Sequence, residues 1–340
     1  MPQADFLAAA LPLLEAGVVE AVEWSVDMGW GLNGLPDWLA GLLAHFSAAG
    51  ALYGHGVCYS PLHARHTPAQ RDWLERARVE CESRRYQHFS EHFGLNPPPY
   101  GAPMPQPALP ALIAVAQDRM RRLALATGRP VGLENLALAL SAEDARRHGA
   151  LLDVILSPVD GFILLDLHNL WCNAVNFGID PLELLECYPA ERVRELHLSG
   201  GSWAAPLGRR WRRDTHDDAI PQPVLDLLPS ALNRLPMVEV VVVERMGGTL
   251  KTKLEQDVFV RQFHEVRARV GSGMPLPLSP WRGSVPPEPV EDLTLAEAQE
   301  GWLASLVGEA GDPGLLAEWL ASADPAALET AESVSRKWYS

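Results

Sequence analysis

Short hydrophobic runs rich in β-branched residues alternate along the chain with longer segments that have the apolar spacing of a helix. Near-continuous apolar runs are typical of strands buried on both faces, and intervening helices are typical of parallel sheets. The predicted strands are Val18–Trp24, Ala51–Val57, Tyr86–Ser90, Val131–Glu134, Phe162–Asp166, Val193–Leu198 and Val238–Glu244. The predicted helices include Pro36–Ala48, Pro68–Arg84, Leu109–Thr127, Ser141–Leu152, Pro181–Glu186 and Pro221–Leu235. The pattern predicts an α/β fold with a parallel sheet.

A polar residue suited to metal or acid–base chemistry stands at or near the end of each predicted strand. These residues are Glu23, His55, His92, Glu134, Asp166, His197 and Glu244, spaced 31 to 47 residues apart. The carboxyl ends of strands converge on one mouth in a (β/α) barrel, whereas an open sheet spreads them along an edge. The spacing therefore favours a TIM-type barrel. Only seven strands are evident, so either the usual first strand is absent or it lies unrecognised in 7–14, which has a helical pattern.

A proline-rich segment follows the predicted barrel. Gly271–Val290 carries six prolines and has the composition of a linker. Beyond it, Thr294 and Glu297 form a predicted capping box before an apolar stripe, which indicates a helix. The predicted organisation is a metal-binding barrel over residues 1–270, a linker over 271–290 and a short helical tail over 291–340. The apolar face of this tail either packs on the barrel or binds a partner.

Composition narrows the functional classes. The 340 residues include 43 acidic and 28 basic side chains, giving a net charge of −15, which argues against nucleic-acid and anionic-membrane partners. We find no apolar run long enough to span a membrane and no basic N-terminal region typical of a signal peptide. The four cysteines are scattered without a C-x-x-C pair, as in proteins of a reducing compartment. We expect a cytoplasmic protein.

The polar strand ends and two later motifs form a candidate metal centre. Several imidazoles and carboxylates at one mouth would repel each other and lose solvation unless cations were present. A nitrogen and oxygen ligand set without thiolates favours Fe, Mn or Zn, and its size implies two or three ions. Glu134 is the predicted bridge, and Asp214-Thr215-His216 is a predicted two-ligand clip because alternate residues of an extended segment point the same way. The candidate ligands are His55, His92, Glu134, Asp166, Asn169, His197, Asp214, His216 and Glu244.

The motifs around these residues resemble those of the multinuclear non-heme iron-dependent oxidative enzymes. The matching segments, within roughly residues 18 to 265, are Gly54-His55-Gly56, Ser90-Glu91-His92, Leu133-Glu134-Asn135, Leu165–Asn169, Asn173–Asp180, Glu195–Gly200, Asp214-Thr215-His216 and Val243-Glu244-Arg245. The resemblance implies a barrel like that of xylose isomerase, with two or three irons in mixed Fe2+ and Fe3+ states and O2 as cosubstrate. It implies modification of a ribosomally made precursor peptide, usually at Cys and sometimes at Asp or Asn. It also implies that a separate partner protein can present the peptide.

The resemblance further implies a role for each candidate ligand. One iron would be held by His55, His92 and Glu134, a second by Glu134, Asp166, His197 and Glu244, and a third, more labile one by Asn169, Asp214 and His216. The catalytic set would be His55, His92, Glu134, Asp166, His197 and Glu244. The chain departs from the family pattern in three places: the usual opening strand is absent, His168 replaces a common Asn, and Arg245 replaces a common Asp.

Two other functions stay open at this point. The first is a Zn- or Mn-dependent hydrolase or isomerase on the same barrel, and the second is a non-catalytic scaffold that binds peptide. Metal content and dependence on O2 distinguish them from an iron oxidase.

Overall fold

The sheet is a parallel barrel wall that is open at one seam. The computed structural model describes residues 3–31, 34–96, 102–271 and 278–339. Its strands are β1 (Val22–Ser25), β2 (Leu52–Gly56), β3 (Tyr86–His92), β4 (Val131–Glu134), β5 (Phe162–Asp166), β6 (Val193–Leu198), β7 (Trp203–Ala204), β8 (Trp211–Arg212) and β9 (Val240–Val243). The seven-stranded sheet has the order β1-β2-β3-β4-β5-β6-β9, all pairs parallel, and β7 pairs with β8 in an antiparallel hairpin.

Helices follow the strands, as in a (β/α) barrel, and a helical extension follows the last of them. The helices are α1 (Ala4–Glu15), α2 (Val26–Gly29), α3 (Asp37–Ala49), α4 (Pro68–Ser83), α5 (Pro110–Thr127), α6 (Ala142–Leu156), α7 (Leu167–Phe177), α8 (Pro181–Glu186), α9 (Gln222–Arg234), α10 (Lys253–Arg269), α11 (Leu293–Leu306), α12 (Ala317–Ala321) and α13 (Pro325–Tyr339). The predicted α/β barrel with a C-terminal helical extension is confirmed. Residues 7–14 lie within α1, so they are not the missing strand.

Local sequence signals account for several helix starts. Thr67 caps α4 by accepting a hydrogen bond from the backbone of Gln70, whose side chain in turn accepts from the backbone of Thr67. Thr252 and Glu255 form the same reciprocal pair at the start of α10. Each box satisfies backbone N–H groups that the first helical turn leaves without partners. These caps therefore fix the residue at which each helix begins.

The seam lies between the two edge strands of the sheet. β1 and β9 each pair with a neighbour on one side, and a cavity of about 690 Å³ lies between them, lined also by α1 and α10. Apolar residues of α1 and α10 cover the seam from outside, with Leu13 and Phe259 buried between the helices. The described part of the sheet therefore curves almost to closure with seven strands, and its carboxyl ends still converge on one mouth.

The C-terminal helices are packed against the barrel. The buried side chain of Gln299 accepts a hydrogen bond from the backbone of Ala64 and donates to the carbonyl of Leu62. The proline-rich segment is also anchored, because Arg122 donates to the carbonyl of Pro286. Residues 272–277 of that segment lie outside the described residues, and the division into barrel, linker and tail stays a prediction. Among the described residues, no helix is long and apolar enough to cross a membrane.

A buried histidine on α6 makes stability depend on pH. Burial lowers the pKa of His148 to about 4, whereas a histidine in an unfolded chain titrates near 6.5. Between those values the unfolded chain binds a proton that the folded chain does not, so stability falls as the pH falls. When the pH is lowered from about 7 to about 5, the proton uptake by the unfolded chain at His148 should cost the unmodified protein about 2 kcal/mol of unfolding free energy. The His148→Gln variant lacks this titrating group, so its unfolding free energy should fall by about 2 kcal/mol less over the same pH range. Urea unfolding at both pH values measures this, and equal losses in the two proteins would contradict it.

Candidate metal centre

The carboxyl ends of β2, β3 and β4 bring two imidazoles onto one carboxylate. His55 Nε2 lies 3.4 Å from Glu134 Oε2, and His92 Nε2 lies 3.1 Å from the same oxygen. One donor atom from each of the three side chains lies within 4.8 Å of the other two. This spacing suits one cation between three ligands.

The opposite oxygen of Glu134 faces a second group. Asp166, His197 and Glu244 offer donor atoms that lie within 4.8 Å of one another and of a Glu134 oxygen. His197 Nδ1 is 3.1 Å from Glu244 Oε2 and 3.8 Å from Glu134 Oε1. Glu134 therefore contributes to both groups, which is the geometry expected of a bridging carboxylate.

Of the remaining candidates, Asp214 and His216 lie on the solvent side of these groups, and Asn169 lies buried beside Glu134. His216 Nε2 is 2.9 Å from Asp214 Oδ2, and its Nδ1 is 3.6 Å from Glu244 Oε2. Asn169 Nδ2 lies 3.5 Å from Glu134 Oε1, and Asn169 Oδ1 is buried without a partner among the described residues. All the residues proposed from sequence as ligands therefore lie in one continuous cluster at the barrel mouth.

Chain geometry after β5 explains how Asn169 reaches the cluster. Asp166 is both the last residue of β5 and the N-cap of α7, where its Oδ1 accepts a hydrogen bond from the backbone N–H of Asn169. This cap places Asn169 in the first helical turn, facing the strand ends. Asp166 Oδ2 accepts from the hydroxyl of Ser199, which lies 3.3 Å from Asp214 Oδ1 and so connects this strand end to the Asp214 loop.

Burial perturbs the acid–base properties of the cluster. Burial raises the pKa of Glu134 well above its ordinary range and that of Asp166 to about 6. Burial also lowers the pKa of the His55 imidazole. For His197, burial alone would lower the pKa, but the carboxylates of Glu244 and Glu23 raise it well above its usual value. The site is therefore crowded with carboxylates that only bound cations or protons neutralise.

Several buried nitrogen and oxygen atoms of the cluster, all of them potential metal-donor atoms, have no hydrogen-bond partner in the described part of the chain. They are His92 Nδ1, Asn169 Oδ1, both ring nitrogens of His197 and Glu244 Oε2. Buried polar atoms are nearly always satisfied, so this concentration calls for an additional group. Imidazole and carboxylate donors without thiolates fit iron, manganese or zinc. The residues present thus fit a multinuclear transition-metal site.

Two further carboxylates, Glu195 and Glu23, lie beside the predicted ligands. Glu195 and Glu23 form a third group with His197, with donor atoms within 4.8 Å of one another. Glu195 precedes His197 by two residues on β6, so strand alternation already placed both side chains on the same face. The sequence pattern predicts Glu23 as a polar strand end, but it does not predict Glu23 as a neighbour of His197, and it assigns no role to Glu195.

The two side-chain departures from the family pattern have different surroundings. His168 is fully buried, with Nδ1 3.2 Å from Asp214 Oδ1, and its Nε2 accepts a hydrogen bond from Arg212 Nε at 3.1 Å. It therefore lies directly behind Asp214, one of the ligands predicted from sequence. Arg245 instead donates hydrogen bonds to the hydroxyl and the carbonyl of Thr249, so its guanidinium stabilises the loop after β9.

Gly201 lies beside the loop that carries Asp214 and His216, and its replacement tests whether these two residues hold a metal ion. A Cβ on Gly201 would overlap the carbonyl of Arg213 and lie 2.9 Å from the backbone nitrogen of Thr215. Because packed backbone cannot absorb such overlap, Gly201→Ala should displace the loop and remove about one metal ion per chain. Gly31→Ala is the control, since a Cβ there would have no heavy atom of the described residues within 4 Å. Metal analysis of both variants measures the effect, and unchanged content in Gly201→Ala would contradict it.

Related proteins share only part of their length with this chain. A UPF0276 protein of Caulobacter vibrioides is 34% identical over 133 residues, which is 39% of this chain and 44% of that protein. A UPF0276 protein of Acaryochloris marina is 28% identical over 196 residues, covering 55% of this chain and 67% of that protein. The chain thus matches less than half of the Caulobacter protein's length.

Solved structures and a family model complete the comparison. Endonuclease IV from Thermus thermophilus matches with a TM-score of 0.50 and 15% identity, covering 79% of this chain and 97% of that one. D-allulose 3-epimerase from Methylomonas sp. matches with a TM-score of 0.50 and 14% identity, covering 78% and 90%. These likenesses establish the barrel fold alone. The model of the RiPP precursor modification enzymes MbnB/TglH/ChrH, which act on ribosomally synthesised and post-translationally modified peptides, matches residues 37–256, and the chain therefore belongs to that family.

Proposed function

We propose that this chain is a multinuclear non-heme iron-dependent oxidase that uses O2 to modify a precursor peptide, at Cys or alternatively at Asp or Asn. The observation that carries the proposal is the bridging position of Glu134, whose two oxygens face separate groups of buried ligands. Membership of a family of peptide-modifying enzymes supports a peptide as the substrate.

The donor set supports two or three ions rather than one. His55, His92 and Glu134 form one group, and Glu134 belongs to a second group with Asp166, His197 and Glu244. Asp214 and His216 extend the cluster toward solvent, and Asn169 adds a buried amide beside Glu134. A mixed imidazole, carboxylate and amide environment suits ferrous and ferric iron and lacks the thiolates that would select softer ions. We propose iron in both oxidation states.

Differences in exposure give the cluster one accessible side. Side-chain exposure is 24% for His92, 25% for His216 and 20% for Glu244, whereas it is 3% for His55 and 0% for His197. The buried residues would hold the metals in the barrel and exclude water from that side. The exposed ligands border the opening through which a peptide would approach. We therefore propose that the modified residue enters over His92 and His216.

Bound iron would supply O2 activation and a Lewis acid that lowers the pKa of a substrate thiol or carboxyl group. The chain's own residues would fix the distance between the ions through Glu134 and keep Asp166 in place through its bonds with Asn169 and Ser199. A separate protein that presents the peptide is also part of the proposal. The four cysteines form no disulfide, so we propose the reducing cytoplasm as the place of action.

Anaerobic loading with ferrous salt, followed by a reaction with a synthetic precursor peptide that contains Cys, Asp and Asn, tests the proposal. We expect two or three bound irons per chain, O2 consumption that requires the peptide, and a mass change in the peptide. Zinc- or manganese-loaded protein is the matched control and should leave the peptide unchanged. Turnover without O2 by either control would favour a hydrolase or isomerase, and metal-free peptide binding without turnover would favour a scaffold.

A further inference from the structure

The imidazole of His197 lies between two sets of carboxylates at the base of the metal centre. Its Nδ1 faces Glu244 at 3.1 Å and Glu134 at 3.8 Å. Its Nε2 faces Glu23 at 3.4 Å and Glu195 at 3.6 Å, on the side away from the mouth. The ring is fully buried, and neither nitrogen has a hydrogen-bond partner within the described residues. Only a nitrogen without a proton can bind a metal, so the ring must carry its proton on the nitrogen that faces away.

Glu195 is held rigidly in a position to accept a hydrogen bond from that N–H group. Its Oε2 is 2.8 Å from His88 Nε2, and both side chains are almost completely buried. Because an ionised carboxylate only accepts hydrogen bonds, His88 Nε2 is the donor in this pair. The His88 ring packs against Phe162, with ring centroids 4.2 Å apart, and against Tyr53, with centroids 4.6 Å apart. This packing fixes the orientation of the carboxylate and leaves Glu195 Oε1 directed at His197.

The second carboxylate near Nε2 is less constrained. Glu23 lies on the edge strand β1 beside the seam cavity, whereas Glu195 is anchored through its other oxygen, Oε2, to His88. Glu195 lies on the inner strand β6 and is completely buried. Of the two carboxylates, Glu195 is therefore the one whose position the fold determines.

We infer that Glu195, fixed by His88, is a positioning residue that keeps the proton of His197 on Nε2 and directs Nδ1 to the metal. The inference rests on the proposed function, because it gives His197 a metal to bind. An acceptor of this kind orients the ligand ring and makes the ligating nitrogen more basic, and its removal usually costs 10- to 100-fold in metal affinity.

The test compares Glu195→Gln with Glu239→Gln. Glu239 is a matched control because its Oε2 lies 4.0 Å from His88 Nδ1, on the far side of that ring from Glu195. Affinity for Co2+, measured by competition with a chromogenic chelator, should fall about 10- to 100-fold in Glu195→Gln and by less than about threefold in Glu239→Gln. Circular dichroism and thermal unfolding of the metal-free proteins verify that both variants fold.

A second measurement needs no variant of Glu195. In 15N-labelled protein loaded with diamagnetic Zn2+, the His197 ring should carry its proton on Nε2, with a downfield proton shift caused by the carboxylate acceptor. His197→Gln assigns the signal. A proton on Nδ1, or unchanged Co2+ affinity in folded Glu195→Gln, would overturn this role while leaving the metal centre intact. Failure of the unmodified protein to bind either metal would instead refute the metal centre and, with it, this role.

Discussion

Replacing Glu134 with Ala should abolish metal binding and turnover together. Glu134 is the residue whose two oxygens face both principal ligand groups, with His92 Nε2 3.1 Å from one oxygen and His197 Nδ1 3.8 Å from the other. Its removal leaves each proposed ligand group one ligand short and leaves the imidazoles of His55 and His92 without their shared carboxylate. We expect metal content near zero after anaerobic loading and a fall in peptide-dependent O2 consumption of more than about 100-fold. His92→Ala should act in the same direction.

The matched comparison uses isosteric changes. Glu134→Gln keeps the shape of the side chain and should still lose the metals, because the amide lacks the charge. Glu91→Gln makes the same change in another buried carboxylate, which accepts hydrogen bonds from the backbone of His92 and Tyr59 and belongs to none of the ligand groups. It should retain iron and activity. Full activity in folded Glu134→Ala would contradict the bridging role.

Replacing Trp302 with Ala should destabilise the whole protein and not just its tail. The Trp302 side chain on α11 is 2% exposed and belongs to the same buried apolar cluster as the barrel core. Its ring also contacts that of Trp319, with centroids 5.6 Å apart. Truncating a buried tryptophan leaves a cavity and typically costs about 3 to 5 kcal/mol of unfolding free energy.

Urea unfolding followed by circular dichroism measures this loss. Leu315→Ala is the control, because Leu315 lies in the same C-terminal region but is 43% exposed, and its loss should cost less than about 0.5 kcal/mol. A Trp302→Ala protein that unfolds in one transition at a lower urea midpoint fits a tail packed on the barrel. A separate early transition, with the barrel midpoint unchanged, would show that the tail is an independent unit.

The strand pattern made the barrel and most of its mouth predictable from sequence. Runs such as Phe162–Asp166 are buried on both faces, and each ends in a side chain that the parallel topology must direct to the same edge. The convergence of His55, Glu134 and His197 follows from that topology alone. The Asp214 loop was harder to predict, because its position depends on contacts such as Ser199 with Asp214 rather than on strand periodicity.

Other features depend on packing that a single sequence does not express. Glu195 faces inward with the same alternation as His197, but its role depends on His88, which comes 107 residues earlier and lies on a different strand. From sequence, the apolar face of the tail could either pack on the barrel or bind a partner. Contacts between residues more than 200 positions apart, such as Gln299 with Leu62, show that the tail packs on the barrel. The seam beside β1 likewise depends on how far the whole sheet curves, which the sequence of a single strand does not determine.

We propose that a single cluster of iron ions is bound between the strand ends. Anomalous diffraction at the iron absorption edge, from crystals of anaerobically loaded protein, tests it most directly. We predict one peak between His55, His92 and Glu134 and a second between Glu134, Asp166, His197 and Glu244, with a weaker third beside Asn169, Asp214 and His216. Loaded crystals that show no iron peak at these residues, or peaks only elsewhere on the chain, would contradict the account.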